Sequence, residues 1–243
     1  MERNDFIFEL RRIFSLCGLG ELLGADAEQR LFALSEYLVS ENRKYNLTAV
    51  TDCRGIILRH LADSASLSPL LESKATLLDV GCGAGFPSLV LAILRPDLSV
   101  TALDATEKRV RYVASAAELL GLDNLTALCM RAEDGARGDL RERFDFVTAR
   151  AVARLPILSE LCLPYVKVGG IFLAMKGSGG DLELSEAANA ISVLGGKTVR
   201  MHESSLSDGL GETLTRTVAE IRKISRTPVL YPRHFSRISK KPL

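Results

Sequence analysis

The 243-residue chain is 47% hydrophobic and 25% charged, ordinary for a water-soluble fold and enough to bury a core without disulfide or metal staples. No run approaches the roughly eighteen uncharged apolar residues of a membrane span, and Glu2, Asp5 and Glu9 stand where a secretory leader would be basic and then apolar, so a cytoplasmic protein with no membrane partner is expected. Formal net charge is +1, yet from Arg222 to the end there are seven basic residues and no acidic one, leaving 24 basic against 30 acidic residues before it: an acidic body with a basic end.

The length suits one large domain, or one domain with a sizeable extension. Cys17, Cys53, Cys82, Cys129 and Cys162 are odd in number and form no Cys-x-x-Cys pair, so they read as reduced, mostly buried small apolar residues. With three histidines in unrelated places, no metal site is expected.

The first seventy residues read as helical. Phe6, Leu10, Ile13 and Phe14 recur at helical spacing, as do Leu31, Leu34, Tyr37 and Leu38 behind acidic Asp26 and Glu28. A third helix is expected from Arg54 to Leu67, stopped by Pro69. These helices (1–70) are expected to pack on the core domain (71–243) as an extension of it.

From Ala75 the pattern changes. Ala75–Val80 is a short apolar run, followed by a glycine-rich turn and an apolar helix, Leu89–Leu94. Strands are then expected at Leu98–Leu103, Leu125–Met130, Phe144–Ala149 and Ile171–Met175, with helices at Glu107–Leu120 and Ile157–Val166. Apolar strands alternating with helices indicate a parallel sheet covered on both faces. A polar helix (Asp181–Leu194), a strand near Lys197–His202 and a late antiparallel strand, Glu212–Ile224, complete the chain.

Asp79-Val80-Gly81-Cys82-Gly83-Ala84-Gly85-Phe86-Pro87 follows the first strand and opens a helix. Glycines there let the backbone turn tightly and approach a ligand. In an open parallel sheet the ligand crevice lies beyond the strand carboxyl ends. Asp104 ends the second strand, 23 residues after Gly81, where a carboxylate can accept both ribose hydroxyls of an adenosyl ligand. Ala132, Glu133 and Asp134 follow the third strand and can serve an adenine edge; Arg150 follows the fourth, and Lys176 the fifth, where it reads equally as a contact to a polynucleotide phosphate or as a solvated surface lysine. Strand, glycine turn and Asp104 also fit an NAD-dependent oxidoreductase, but Phe86 stands where a dinucleotide fingerprint needs glycine or alanine.

His60 and Ser64 lie four apart with Asp63 alongside; adjacency on one helix does not give a hydrolytic triad its geometry, so a polar face bordering the site is expected instead. The Asn46–Thr48 loop and His60 are expected to shape a substrate pocket. In the basic end, Tyr231 and Phe235 interleave with the cations, which suits phosphate contacts plus base stacking; a solubilising end is the alternative.

The stretches Tyr45–Val50, Arg59–Ser64, Leu78–Pro87, Lys108–Tyr112, Ala132–Glu133, Ala149–Ala151, Ala174–Gly177 and Tyr231–Leu243 together resemble the small-subunit ribosomal RNA guanine-N7 methyltransferase family, also known as the glucose-inhibited division B proteins. The resemblance implies an α/β fold with a seven-stranded, mostly parallel class I methyltransferase (Rossmann-like) sheet, S-adenosylmethionine as donor, and a guanine of 16S ribosomal RNA, naked or in a small-subunit particle, as acceptor. Carried over by position, Gly81, Phe86, Ala132, Glu133 and Arg150 would hold the donor; Gly83, Gly85 and Asp104 join them on the argument above. Two positions depart from the pattern: Ser88 where glycine is more common, and Glu41 where tryptophan is.

Guanine N7 is an unprotonated acceptor, so methylation there needs no general base and no catalytic side chain is expected; Arg150 and Lys176 would orient RNA. A monomer suffices for this chemistry. A non-catalytic RNA-binding or ribosome-assembly protein that keeps the fold is the alternative, separable by one assay with labelled donor.

Overall fold

A computed structural model describes residues 2–177 and 179–243. Seven strands form one sheet in the order β3-β2-β1-β4-β5-β7-β6: β1 Thr76–Val80, β2 Ser99–Asp104, β3 Leu125–Cys129, β4 Phe144–Arg150, β5 Val166–Lys176, β6 Gly196–Ser207 and β7 Thr213–Lys223. The first five are parallel, while β7 runs antiparallel between β5 and β6. Chain order reverses between β1 and β4, and such a switch point leaves an open crevice beyond the carboxyl ends of the two strands.

Alternation along the strands divides the core. Leu77, Val100, Ala102, Phe146 and Leu173 face one side, where helices Ser88–Leu94 and Glu107–Leu120 pack together with Phe6, Leu10, Leu34 and Leu61 of the N-terminal helices. Leu78, Leu103, Val147, Phe172 and Ala174 face the other, against helices Leu155–Cys162 and Ala188–Val193. Burial on both faces is why these strands read as unbroken apolar runs.

Several sequence expectations need correction. The helix expected over Ile157–Val166 is Leu155–Cys162; Pro164 follows in a 3₁₀ turn, and Val166 already begins β5, which runs through Gly169–Gly170 instead of starting at Ile171. The polar helix expected over Asp181–Leu194 is two short helices, Gly180–Glu186 and Ala188–Val193. The strand near Lys197–His202 is a twelve-residue strand pairing with all of β7. The third N-terminal helix spans 53–65, and its middle, Ile56–Ala62, is π-wound. The cysteines are not mostly buried: Cys82 and Cys162 are buried, Cys17 and Cys53 are half-buried and Cys129 is exposed.

The basic end is a packed element. Residues 224–243 fold back over helix Leu155–Cys162 and end in the helix Phe235–Lys240, with Ile238 fully buried. Arg141 donates to the carbonyls of Tyr231 (2.8 Å) and Thr227 (2.7 Å), and Arg137 to that of Pro232 (3.0 Å). Among the described residues no helix is long and apolar enough to cross a membrane.

Candidate active site

Two cavities open beside the carboxyl ends of the strands, and they share Ala151 and Val152, the first residues after β4. The first, about 320 Å3, is lined by Gly81 after β1, Asp104 at the end of β2, Ala132 and Glu133 after β3, and Leu161 and Phe235. The second, about 600 Å3, is lined by Arg59, His60 and Asp63 of the π-wound helix, Arg150, Arg154, Lys176, Glu183 and Arg216.

Local backbone demands explain the glycine turn. Gly81, Gly83 and Gly85 have φ of +75°, +55° and +81°, a region that a Cβ disfavours. At Gly81 a Cβ would also lie 2.6 Å from Val152 Cγ2. The Gly83 amide donates to Asp104 Oδ2 (3.1 Å) and the Thr106 amide to Oδ1 (2.8 Å), fixing the carboxylate at the cavity wall. A carboxylate has about four lone-pair sites, so Asp104 keeps acceptor capacity for a ribose. The Ala132 carbonyl accepts from the Tyr165 hydroxyl (2.5 Å), which holds the single-turn helix Ala132–Gly135 in place.

Behind the turn, Asp79 is fully buried; the Ser88 amide donates to its Oδ2 (3.3 Å), while Oδ1 has no hydrogen-bond partner. Burial raises its pKa to about 6. Ser88 is itself fully buried, its hydroxyl unpartnered.

The second cavity is predominantly cationic. Asp63, nearly buried, accepts from Arg150 Nη1 (2.9 Å) and Arg216 Nε (2.8 Å), pinning a β4 arginine and a β7 arginine to the N-terminal helix. The Arg150 guanidinium lies 5.6 Å from the Phe86 ring centroid, and the His60 ring stacks on Phe86 (4.6 Å, 14°). His60 Nε2 pairs with Thr48 Oγ1 (2.9 Å), and Thr48 is in turn held through its backbone by Asn42. Burial first, then the Arg150 charge, lowers the His60 pKa to about 4, so the ring is neutral at physiological pH. Lys176 Nζ reaches Glu183 Oε2 (2.7 Å) and the Ala153 carbonyl (2.8 Å), holding the loop that separates the cavities.

The sequence-derived donor residues therefore divide. Gly81, Asp104, Ala132 and Glu133 line the first cavity. Gly83 sits behind it on Asp104, and Gly85 leaves no room for a Cβ against Leu89. Phe86 contacts both His60 and Arg150, and Arg150 and Lys176 line the second cavity. Within the expected polar helix face, His60 and Asp63 line that cavity while Ser64 is fully buried. Sequence reasoning missed Val152, Glu183, Arg216 and the cavity position of Phe235. Arg216 and Glu183 carry no local signal; Val152 adjoins the Ala149–Ala151 stretch, the one hint available.

Solved structures with this fold include a putative methyltransferase from Bacillus halodurans (TM-score 0.52, 18% identity, covering 68% of this chain and 100% of that one). Another is M. jannaschii TYW2 in complex with AdoMet (TM-score 0.52, 15% identity, 67% and 75%). Both share the layered α/β fold of this chain. The family profile described as rRNA small subunit methyltransferase G matches residues 27–209. Proteins named ribosomal RNA small subunit methyltransferase G are 43% identical over 93% of the chain and 94% of the relative in Clostridium beijerinckii, and 42% identical over the whole of both chains in Acetivibrio thermocellus. The chain belongs to the rRNA small subunit methyltransferase G family.

Proposed function

We propose that this enzyme transfers a methyl group from S-adenosylmethionine to N7 of a guanine in 16S ribosomal RNA. The observation that carries this reading is the shared wall of the two cavities at Ala151–Val152, which lets a donor in one meet a base in the other. The first cavity fits an adenosyl group: Gly81 presents bare backbone, Asp104 offers a fixed carboxylate, and the volume lies in the range of small-ligand sites. The second cavity carries Arg59, Arg150, Arg154, Lys176 and Arg216 against the carboxylates of Glu212, Asp63, Glu186 and Glu183 that pair with them, a cationic excess that suits a polyanion.

S-adenosylmethionine supplies an electrophilic methyl on a sulfonium. Guanine N7 presents a lone pair and releases no proton, so no side chain need act as base. His60 fits that economy: it is a neutral, stacked wall of the acceptor cavity. Asp63 holds Arg150 and Arg216 in fixed positions, so the cavity is charged and shaped in advance. Alignment of reacting groups by such a frame contributes up to roughly 7–11 kcal/mol in favourable cases.

The test is methyl transfer from labelled donor to naked 16S RNA and to small-subunit particles, with the modified atom mapped by chemical cleavage at N7-methylguanine. Label at one guanine N7 is the expected result. RNA association without transfer, or label on a different atom, overturns the reading.

A further inference from the structure

The first cavity has one wall that the strand tips do not supply. Phe235, the first residue of the helix Phe235–Lys240, comes from the far end of the chain and lines the space that Gly81, Asp104 and Glu133 line. The segment is anchored on both sides of it. Arg233 clamps Glu160, the Arg233 guanidinium covers the Tyr231 ring at 5.9 Å, and Ile238 is fully buried one turn further on. Between Tyr231 and Lys240, Phe235 alone keeps a large apolar side chain exposed (39%), and it does so at the mouth of a ligand cavity.

Among the described residues Phe235 is the only aromatic that lines this cavity; the remaining apolar contributions are Val80, Leu103, Leu161, Val152 and alanines. Ala151 and Val152 mark the side where the cavity meets its neighbour, hence the side to which a reactive methyl must be delivered. Asp104 is placed for the ribose, which leaves the adenine to lining that the second cavity does not share, and within that lining Phe235 supplies an aromatic ring beside Ala132–Glu133 and Leu161. A purine leaving water needs a flat apolar partner, and an aromatic ring supplies one.

From this geometry, and resting on the donor reading above, we propose that Phe235 is the stacking platform for the adenine of the bound donor, so that the C-terminal segment is a wall of the donor site. The interleaving of aromatics and cations in this segment then has a division of labour: Phe235 serves the donor, while the exposed cations beyond it remain available to phosphate.

The experiment measures binding of S-adenosylhomocysteine and of adenosine, without RNA, to the wild-type protein and to the Phe235→Ala and F235W variants. The Phe235→Ala variant binds both ligands about 5- to 150-fold more weakly, the loss usual when a base-stacking ring is truncated, while its melting temperature without ligand stays at the wild-type value. The chain has no tryptophan, so F235W carries a single reporter whose emission is quenched by either ligand while affinity is retained. Wild-type affinity in Phe235→Ala, or F235W emission indifferent to a bound ligand, overturns the proposal. Failure of the wild-type protein itself to bind S-adenosylhomocysteine overturns the donor reading beneath it.

Discussion

Arg233 and Glu160 form a buried ion pair that closes the chain on itself: the Arg233 amide and guanidinium contact both oxygens of a carboxylate with no solvent exposure, at 2.6–3.2 Å. The carboxylate stands on helix Leu155–Cys162, and the arginine lies two residues before Phe235. Removing one partner of such a pair leaves an uncompensated charge in the interior. Arg233→Ala is expected to destabilise the fold by about 3–5 kcal/mol, read as a lower urea midpoint. A midpoint within error of wild type would show that water reaches the Glu160 carboxylate.

The exposed cations are the part of this segment open to solvent. Lys223 is fully buried, its Nζ donating to the Leu163 carbonyl (2.7 Å), and Arg233 is held by Glu160; Arg226, Lys240 and Lys241 are exposed. Truncation at Ser225 would remove Arg233 and Phe235 as well, and so could not isolate the role of the cations. Replacing Arg226, Lys240 and Lys241 by alanine is expected to weaken RNA binding and leave S-adenosylhomocysteine affinity unchanged. The slope of log K against log salt should fall by roughly 0.7–0.9 for each phosphate that is no longer neutralised. An unaltered slope would show that these cations do not meet RNA.

The Asp104 carboxylate accepts from the Gly83 and Thr106 amides, has the Arg109 guanidinium 3.5 Å from Oδ2, and lines the first cavity. Asp104→Ala should therefore lose donor affinity by about ten- to 150-fold, the scale of one charge-assisted hydrogen bond at about 1.5–3 kcal/mol. Isothermal titration with S-adenosylhomocysteine checks this. Asp104→Asn, which keeps an acceptor oxygen, should fall between the two.

How legible the site was in sequence depends on how local its parts are. The turn and Asp104 were readable because strand, turn, helix and strand follow one another, so their spacing fixes which ends converge. The second cavity was legible only in part: His60 and Asp63 read as a polar face bordering the site and Arg150 and Lys176 as strand-end residues, but Arg216 lies far off in sequence, reads alone as an ordinary surface charge, and nothing local showed that Asp63 joins it to Arg150. The π-winding of Ile56–Ala62 was invisible because Ile57, Leu58 and Leu61 satisfy a one-sided apolar pattern with either helical pitch. The basic end misled because composition counts charges without their partners: Glu142 lies against Lys223 (3.6 Å) and Glu160 against Arg233.

Asp79, buried behind the turn, and His60, on the wall of the second cavity, should respond to acid in opposite senses. The Asp79 pKa is raised to about 6 from 3.8, so its contribution is whole below pH 3.8 and is lost as pH rises through 6. The His60 pKa is lowered to about 4 from 6.5, so its contribution is present above pH 6.5 and is lost as pH falls through 4. Over the shared window the two offset each other. Asp79→Asn, which keeps the acceptor for the Ser88 amide, removes one arm; stability should then drop on acidification from pH 6.5 to 4 by on the order of 3 kcal/mol more than in wild type. Parallel pH profiles of the urea midpoint for the two proteins would refute the assignment.

The close approach of the Gly81 backbone to Val152 tests the shared wall directly. An alanine at Gly81 meets two separate obstacles: a φ of +75°, costing roughly 1–2 kcal/mol for a residue with a Cβ, and Val152 Cγ2 at 2.6 Å. Val152→Ala relieves only the second. Gly81→Ala should therefore lose donor binding severely, and the Gly81→Ala/Val152→Ala double variant should recover part of that loss, with a favourable coupling between two residues that touch. Val152→Ala alone should leave donor affinity within about threefold while lowering kcat, because the residue that divides donor from acceptor has been shortened and the relative placement of the two reactants loosens. Strictly additive effects on donor affinity would mean that Gly81 and Val152 do not share one boundary, and the two cavities would then have to be treated as separate sites.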